Sequence, residues 1–145
     1  MTKSKQDSEA TEGRWIKGMM TQGWASVAFW MTFGLLLEGL LGYKIPAYLD
    51  DAQRRELFRL AHAHGTLLGL VLVAAALCGE RLTVRPARLI RFALRAGAML
   101  MPVGFLLAGI WHTEGDPGVA IWLVPPSALL AIFGVIGMAL SAKKG

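Results

Sequence analysis

Apolar residues in this chain are gathered into four blocks, and shorter polar stretches separate them. Each block has about the 20 residues that an α-helix needs to cross the hydrocarbon layer of a membrane. None shows the alternation of apolar and polar residues that is typical of a membrane β-strand. The pattern therefore predicts an all-α integral membrane protein with helical spans over 24–43, 60–79, 92–111 and 119–140.

The four spans are expected to pack as one domain, a four-helix bundle over residues 24–140. Residues 1–23 are too polar to contain a cleaved secretory signal, so they are expected to form an N-terminal tail. Part of that tail can lie at the membrane interface as a short helix, or the whole tail can be flexible. Residues 141–145 form a C-terminal tail.

The link between the first two spans carries helix-breaking and helix-starting residues. Pro46 ends the first span, and either Asp50 or Asp51 can cap a new helix that begins at Ala52. No breaker follows before Gly65, so we expect this helix to continue directly into the second span.

Lysine and arginine are distributed unequally between the two sides of the predicted bundle. Eleven lie in the two tails and in the link between spans two and three, against four in the link between spans one and two. Because basic residues stay preferentially on the cytoplasmic side, the topology is expected to be N-in/C-in, in a cell (inner) membrane. The net charge of +5 then reflects orientation in the lipid bilayer, and no nucleic-acid partner is expected.

Composition limits the chemistry that the chain can perform. The single cysteine, Cys78, excludes an intrachain disulfide and a multi-cysteine zinc site. The chain also has no glycine-rich phosphate loop and no nucleophile elbow. Candidate functional residues are therefore the ionisable side chains within or beside the spans.

The stretch that leads into span two carries most of this candidate chemistry. Helical spacing aligns Arg55, Arg59, His62, Gly65 and Gly69 on one face. A neutral imidazole can ligate haem iron or another metal, and arginines one and two turns away can bind haem propionates or another anion. The glycines leave room for a flat macrocycle or, alternatively, for close packing against another helix.

Glu38 is the one charged residue within the first span. It shares a helix face with Gly34 and Gly42, which predicts that it faces the bundle. Its candidate partners are Arg59, His62 and His64. An intramembrane carboxylate needs a partner or a proton. Two interpretations are open: a carboxylate that handles protons or orients a ligand, and a structural ion pair between spans one and two.

The remaining histidines are weaker candidates. His64 lies about 200° around the helix from His62, so the two side chains point in different directions. It is a second candidate metal ligand, unless it faces lipid or an apolar wall. His112, Glu114 and Asp116 are of metal-ligand type, but their spacing matches no strong metal motif and favours a solvated acidic turn.

Three short stretches carry a resemblance to a known group of proteins. They are Ala61-His62-Ala-His-Gly65-Thr-Leu-Leu-Gly69, Val103-Gly104-Phe105 and the turn Gly115-Asp116-Pro117-Gly118. In these motifs and in its four spans the chain resembles the styrene oxide isomerases and hydroxylaminobenzene mutases. The resemblance implies a haem b held by His62 near the outer face, a trimer, and a small aromatic substrate that is isomerised with the iron as Lewis acid.

The chain also departs from that group. The family's asparagine is Leu68 here, and its aspartate and tyrosine of span three fall at about Ala98 and Leu106. The resemblance therefore implies the architecture and the haem ligand rather than the isomerase reaction. Three functions remain open: a haem- or metal-binding membrane protein, a small proton-coupled transporter or channel that uses Glu38 and the histidines, and a non-catalytic membrane subunit.

Overall fold

The computed structural model describes residues 3–79, 86–113 and 115–143, with side chains from residue 13 to residue 142 within these ranges. The described residues form five α-helices and one 3-10 helix, with no strand among them. The α-helices are α1 (Lys3–Gly42), α2 (Pro46–Leu49), α3 (Ala52–Gly79), α4 (Arg88–Ile110) and α5 (Val124–Lys143), and the 3-10 helix is Val119–Leu123. The predicted all-α fold is confirmed.

Four helical segments of the described chain are long and apolar enough to cross a membrane: Gly13–Gly42, Ala52–Gly79, Arg88–Ile110 and Val119–Ala142. The protein is therefore a small polytopic membrane protein with a four-helix bundle. The N-in/C-in topology stays a prediction, so the two ends of the bundle are named by structure. The α2 end holds α2 and the connection from α4 to α5, and the opposite end holds the start of α4.

The helix that contains the first span begins before the predicted span does. Helix α1 passes residue 23 without a break. The reason is tertiary packing, because Met19 is completely buried in a cluster with Leu72 and Leu94. The polar N-terminal segment and the first span thus belong to one helix. At residue 23 the composition changes from polar to apolar, but the helix does not end.

Each long helix packs on the next long helix of the chain: α1 on α3, α3 on α4, and α4 on α5. Helices α1 and α5 share no substantial contact within the described residues, so they form the two edges of the bundle. The buried core has one cluster toward the opposite end and one toward the α2 end. These clusters are Met19, Leu72, Ala75, Ala76, Leu94 and Ala98, and Trp30, Leu57, Ala61, Phe105 and Ala108.

The start of α3 is fixed by one capping residue. The carboxylate Oδ1 of Asp51 accepts a hydrogen bond of 2.8 Å from the backbone N–H of Arg54. This contact confirms the predicted helix start at Ala52 and identifies Asp51 as the cap. The Arg54 guanidinium also donates to the carbonyls of Ala47 (2.9 Å) and Gly109 (3.2 Å). It thereby connects α2 and the end of α4 to the first turn of α3.

Candidate functional site

A cavity of about 660 Å³ lies at the α2 end, between α1, α2 and α3. Its volume falls in the range of about 300–1,000 Å³ that is typical of small-molecule sites. We call it the His62 cavity, and it is lined by Met31, Gly34, Leu35, Leu37, Glu38, Leu41, Tyr48, Arg55, Arg59 and His62. The structure thus brings together four of the residues that the sequence singled out: Glu38, Arg55, Arg59 and His62.

The imidazole of His62 is held by the main chain of α1. Its Nδ1 lies 2.7 Å from the carbonyl oxygen of Trp30. Because a carbonyl oxygen can only accept, Nδ1 must carry the proton and donate it. In a neutral imidazole the other nitrogen, Nε2, then keeps a lone pair that can ligate a metal or accept a proton. No hydrogen bond to Nε2 is found among the described residues.

Gly34 makes this hydrogen bond possible. It lies one turn after Trp30 on α1, and a Cβ atom at position 34 would collide with Cε1 and Nδ1 of His62. The missing side chain lets the imidazole lie directly against the α1 backbone and reach the Trp30 carbonyl. The sequence indicated only a general close packing at Gly34, because the partner belongs to another helix.

The charged side chains of the His62 cavity are not paired with one another. Glu38 is exposed, and no described cation lies within 4.0 Å of its carboxylate. The predicted ion pair with Arg59 is therefore not formed. Arg59 lies instead 4.0 Å from Glu56, and Arg55 donates to the Leu49 carbonyl at 2.6 Å. Two cations and one carboxylate thus border one shared cavity.

Tyr48 is a member of the cavity that the sequence analysis missed. It lies on α2 and is only 5% exposed. Burial raises the pKa of the Tyr48 hydroxyl; Arg59 and Arg55 oppose this effect, and Glu38 adds to it. The hydroxyl therefore stays protonated at neutral pH and can donate a hydrogen bond. A four-residue helix gives no periodic signal that would have placed this side chain.

Gly65 and Gly69 pack α3 against α1 rather than enclosing a flat ligand. A Cβ atom at Gly65 would collide with the indole of Trp30, and one at Gly69 would crowd Val27. The hydroxyl of Ser26 also donates to the Gly65 carbonyl, at 3.0 Å. The space beside both glycines is thus filled by α1, and close helix packing is the alternative that the contacts support.

His64 lies on a different side of α3 from His62. Its ring centroid is 5.2 Å from that of Phe105 on α4, and its Nδ1 donates to the Leu60 carbonyl at 2.8 Å. His62 and His64 therefore do not form a shared metal site. In the part of the chain that the structure describes, no group of three or more His, Cys, Asp or Glu residues could hold a metal ion.

The third histidine belongs to a separate contact at the α2 end. Nε2 of His112 lies 2.9 Å from Oδ2 of Asp51, the residue that caps α3. Burial by itself would raise the pKa of Asp51, but the backbone N–H of Arg54 and the charges of His112 and Arg54 outweigh burial and lower it. This contact connects the α4–α5 connection to α3. Glu114 lies outside the described residues, and Asp116 is in an exposed turn.

The His62 cavity therefore offers one imidazole with a free lone pair, two guanidinium groups, one carboxylate and one tyrosine hydroxyl. Such a set can ligate a metal centre, bind carboxylates of a ligand and orient a polar group. Comparison of the chain with protein families, with curated proteins and with solved structures gave no match.

Proposed function

We propose that this polytopic membrane protein binds haem b at the His62 cavity, where Nε2 of His62 would be the ligand that the chain supplies to the iron. The observation that supports this most directly is the hydrogen bond from His62 Nδ1 to the Trp30 carbonyl, 2.7 Å long. Haem-ligating and metal-ligating histidines commonly donate their second ring N–H to a carbonyl or carboxylate, which fixes the tautomer and the ring orientation.

A haem suits this cavity better than a bare metal ion. The porphyrin supplies four ligands to its iron, so the protein has to add as little as one imidazole. A bare zinc ion takes three or four protein ligands, and the described residues hold no cluster of that kind. The single histidine of the cavity therefore matches the requirement of haem.

The other cavity residues have roles that follow from their chemistry. Arg55 and Arg59 lie two turns and one turn before His62 on α3, where their guanidinium groups can pair with the two propionates. Glu38 and Tyr48 can hold a proton or orient a polar group of a ligand. Bound haem would supply a Lewis-acidic iron, and we propose an isomerase-like architecture with a small apolar or aromatic ligand.

The side of the cavity that α1 borders is open. Met31 and Leu35, which line it, are 58% and 74% exposed. We propose that a second copy of the chain covers this side in a homo-oligomer, a trimer as the resemblance implies. In a cell (inner) membrane with N-in/C-in topology, the cavity would lie in the outer leaflet.

Haem-replete protein purified in detergent is expected to show a Soret absorption band that His62→Ala abolishes. His64→Ala is the matched control, because it removes an imidazole from the other side of the same helix turn. It should keep the band. The measurement is the visible spectrum with quantified haem per chain. A colourless wild-type protein from cells with ample haem would contradict the proposal.

That colourless result would leave proton-coupled transport and a non-catalytic subunit as alternatives. Transport is favoured by Glu38, whose carboxylate lies at the cavity without an ion-pair partner among the described residues. Proton flux into liposomes that Glu38→Gln abolishes would then separate transport from the subunit role.

A further inference from the structure

The short helix α2 borders two cavities. It contributes Tyr48 to the lining of the His62 cavity. It contributes Pro46 and Ala47 to a further cavity of about 500 Å³, which shares no lining residue with the first. The other lining residues of this further cavity belong to the first turn of α3, the residues just before it and the α4–α5 connection: Asp50, Asp51, Ala52, Gln53, Arg54, His112 and Gly115. Helix α2 is thus part of the partition between the two spaces.

The residues of α2 anchor it only weakly. The helix has four residues, makes few contacts with α1 and α3, and buries one side chain, that of Tyr48. Ile45, which precedes it, provides no side-chain cap. Because a helix of this length is not stable by itself in water, contacts from other elements must hold α2 in place.

Two arginines at the start of α3 supply such contacts. The guanidinium of Arg55 donates to the Leu49 carbonyl at 2.6 Å, and that of Arg54 donates to the Ala47 carbonyl at 2.9 Å. The last carbonyls of a helix lack partners within the helix, so the arginines satisfy acceptors that would otherwise need water. Hydrogen bonds from charged donors are stronger than those between neutral groups. The two arginines therefore hold α2 beside the His62 cavity.

The chain bends sharply just before α2. Lys44 has a φ of 53°, in the left-handed region that residues with a Cβ atom rarely adopt. The backbone N–H of Ile45 donates to the Leu40 carbonyl at 3.0 Å, which closes the end of α1 at this bend. Backbone strain of this kind is frequent at clamps and switch regions, where surrounding contacts maintain it. Lys44 is therefore placed to act as a hinge for α2.

We propose that α2 is a lid between the His62 cavity and the water at the α2 end, and that charged ligands enter the cavity when this lid opens. The lid lies outside the membrane-spanning segments, between the end of α1 and the start of α3. Asp50 and Gly115 of the further cavity are exposed, so that space is open to water. The lid belongs to the cavity itself, and it operates whether the ligand is haem or another charged molecule.

Hydrogen exchange of the haem-free protein in detergent measures the opening of the lid. Arg55→Met removes the guanidinium and keeps a long side chain. The amides of residues 48–50, which donate within α2 and its first turn, should exchange about 10-fold faster in this variant, because the lost hydrogen bond has a charged donor. The control Arg59→Met removes the same charge one turn later, at a residue that pairs within α3, and should exchange as the wild type does.

Access to the cavity is the second readout. Leu37 lines the His62 cavity and is 5% exposed. In a Cys78→Ser background, the thiol of Leu37→Cys should react with a water-soluble maleimide about 10-fold faster when Arg55→Met is added. Leu72→Cys is the matched control, because this position is completely buried in the other core cluster. Its thiol should stay unreactive as long as the bundle is folded.

Three results would overturn the proposal: unchanged exchange at residues 48–50 in Arg55→Met, equal acceleration in Arg59→Met, and a Leu37→Cys reaction rate that does not depend on Arg55. If Arg55→Met unfolds the bundle, which a reactive Leu72→Cys would reveal, the wild-type chain decides. Its amides at 48–50 must then exchange faster than those at 61–69 of α3, and equal protection would contradict a lid. Both measurements are made without haem, so a failure to bind haem leaves them unaffected.

Discussion

Gly34→Ala is expected to weaken haem binding by about 10- to 100-fold, although it leaves every polar residue of the His62 cavity in place. The added methyl group would collide with the imidazole of His62. The ring would have to move away and would lose its hydrogen bond to the Trp30 carbonyl. Titration of haem into the purified haem-free variant, followed at the Soret band, measures the loss.

Gly39→Ala is the matched control for this prediction. It adds the same methyl group to the same helix, at a position with nothing within 4 Å. Its haem affinity should equal that of the wild type. If Gly34→Ala binds haem as tightly as the wild type does, the prediction is contradicted. Haem binding would then not depend on the position of the His62 imidazole against α1.

Gly97→Val is expected to cause the largest loss of stability, about 3 kcal/mol, which is the upper part of the usual range for overpacked positions. A Cβ atom at position 97 would lie 2.5 Å from the backbone nitrogen of Ala131 and 2.7 Å from the Ser127 carbonyl oxygen. Backbone atoms cannot rotate away as a flexible side chain can, so α4 and α5 would have to separate.

Thermal unfolding in detergent checks this loss of stability. Gly39→Val serves as control, since it places the same side chain on a helix position that faces open space. The control should unfold within a few degrees of the wild type, and Gly97→Val well below it. Equal midpoints for the two variants would contradict the close α4–α5 contact.

The α3 face of the site could be predicted from the sequence, because it depends on helical periodicity alone. The spacing of Arg55, Arg59 and His62 places them on one helix face, wherever α3 begins in the link between spans one and two. All three line the His62 cavity. The start of α1 could not be predicted in this way. Residues before position 24 look polar in composition, and only the contact of Met19 with Leu72 shows that they belong to the bundle.

Glycines show why the rest of the site needed coordinates. Gly34 and Gly65 give the same signal in the sequence, a small residue at four-residue spacing on an apolar helix. In the structure Gly34 makes room for the His62 imidazole, whereas Gly65 makes room for the Trp30 indole. The helix that packs against each glycine decides which side chain fills the space beside it. The residues around the glycine in the sequence do not show which helix or side chain that is.

The central claim is that His62 carries its proton on Nδ1 and keeps a lone pair on Nε2. The ¹⁵N spectrum of haem-free, histidine-labelled protein tests this directly, with the His62 signals assigned by their absence in His62→Ala. In the neutral form of the imidazole, the spectrum should show a protonated Nδ1 and an unprotonated Nε2. A proton on Nε2 and none on Nδ1 would contradict the account, because Nδ1 could then not donate to Trp30 and Nε2 could not ligate iron.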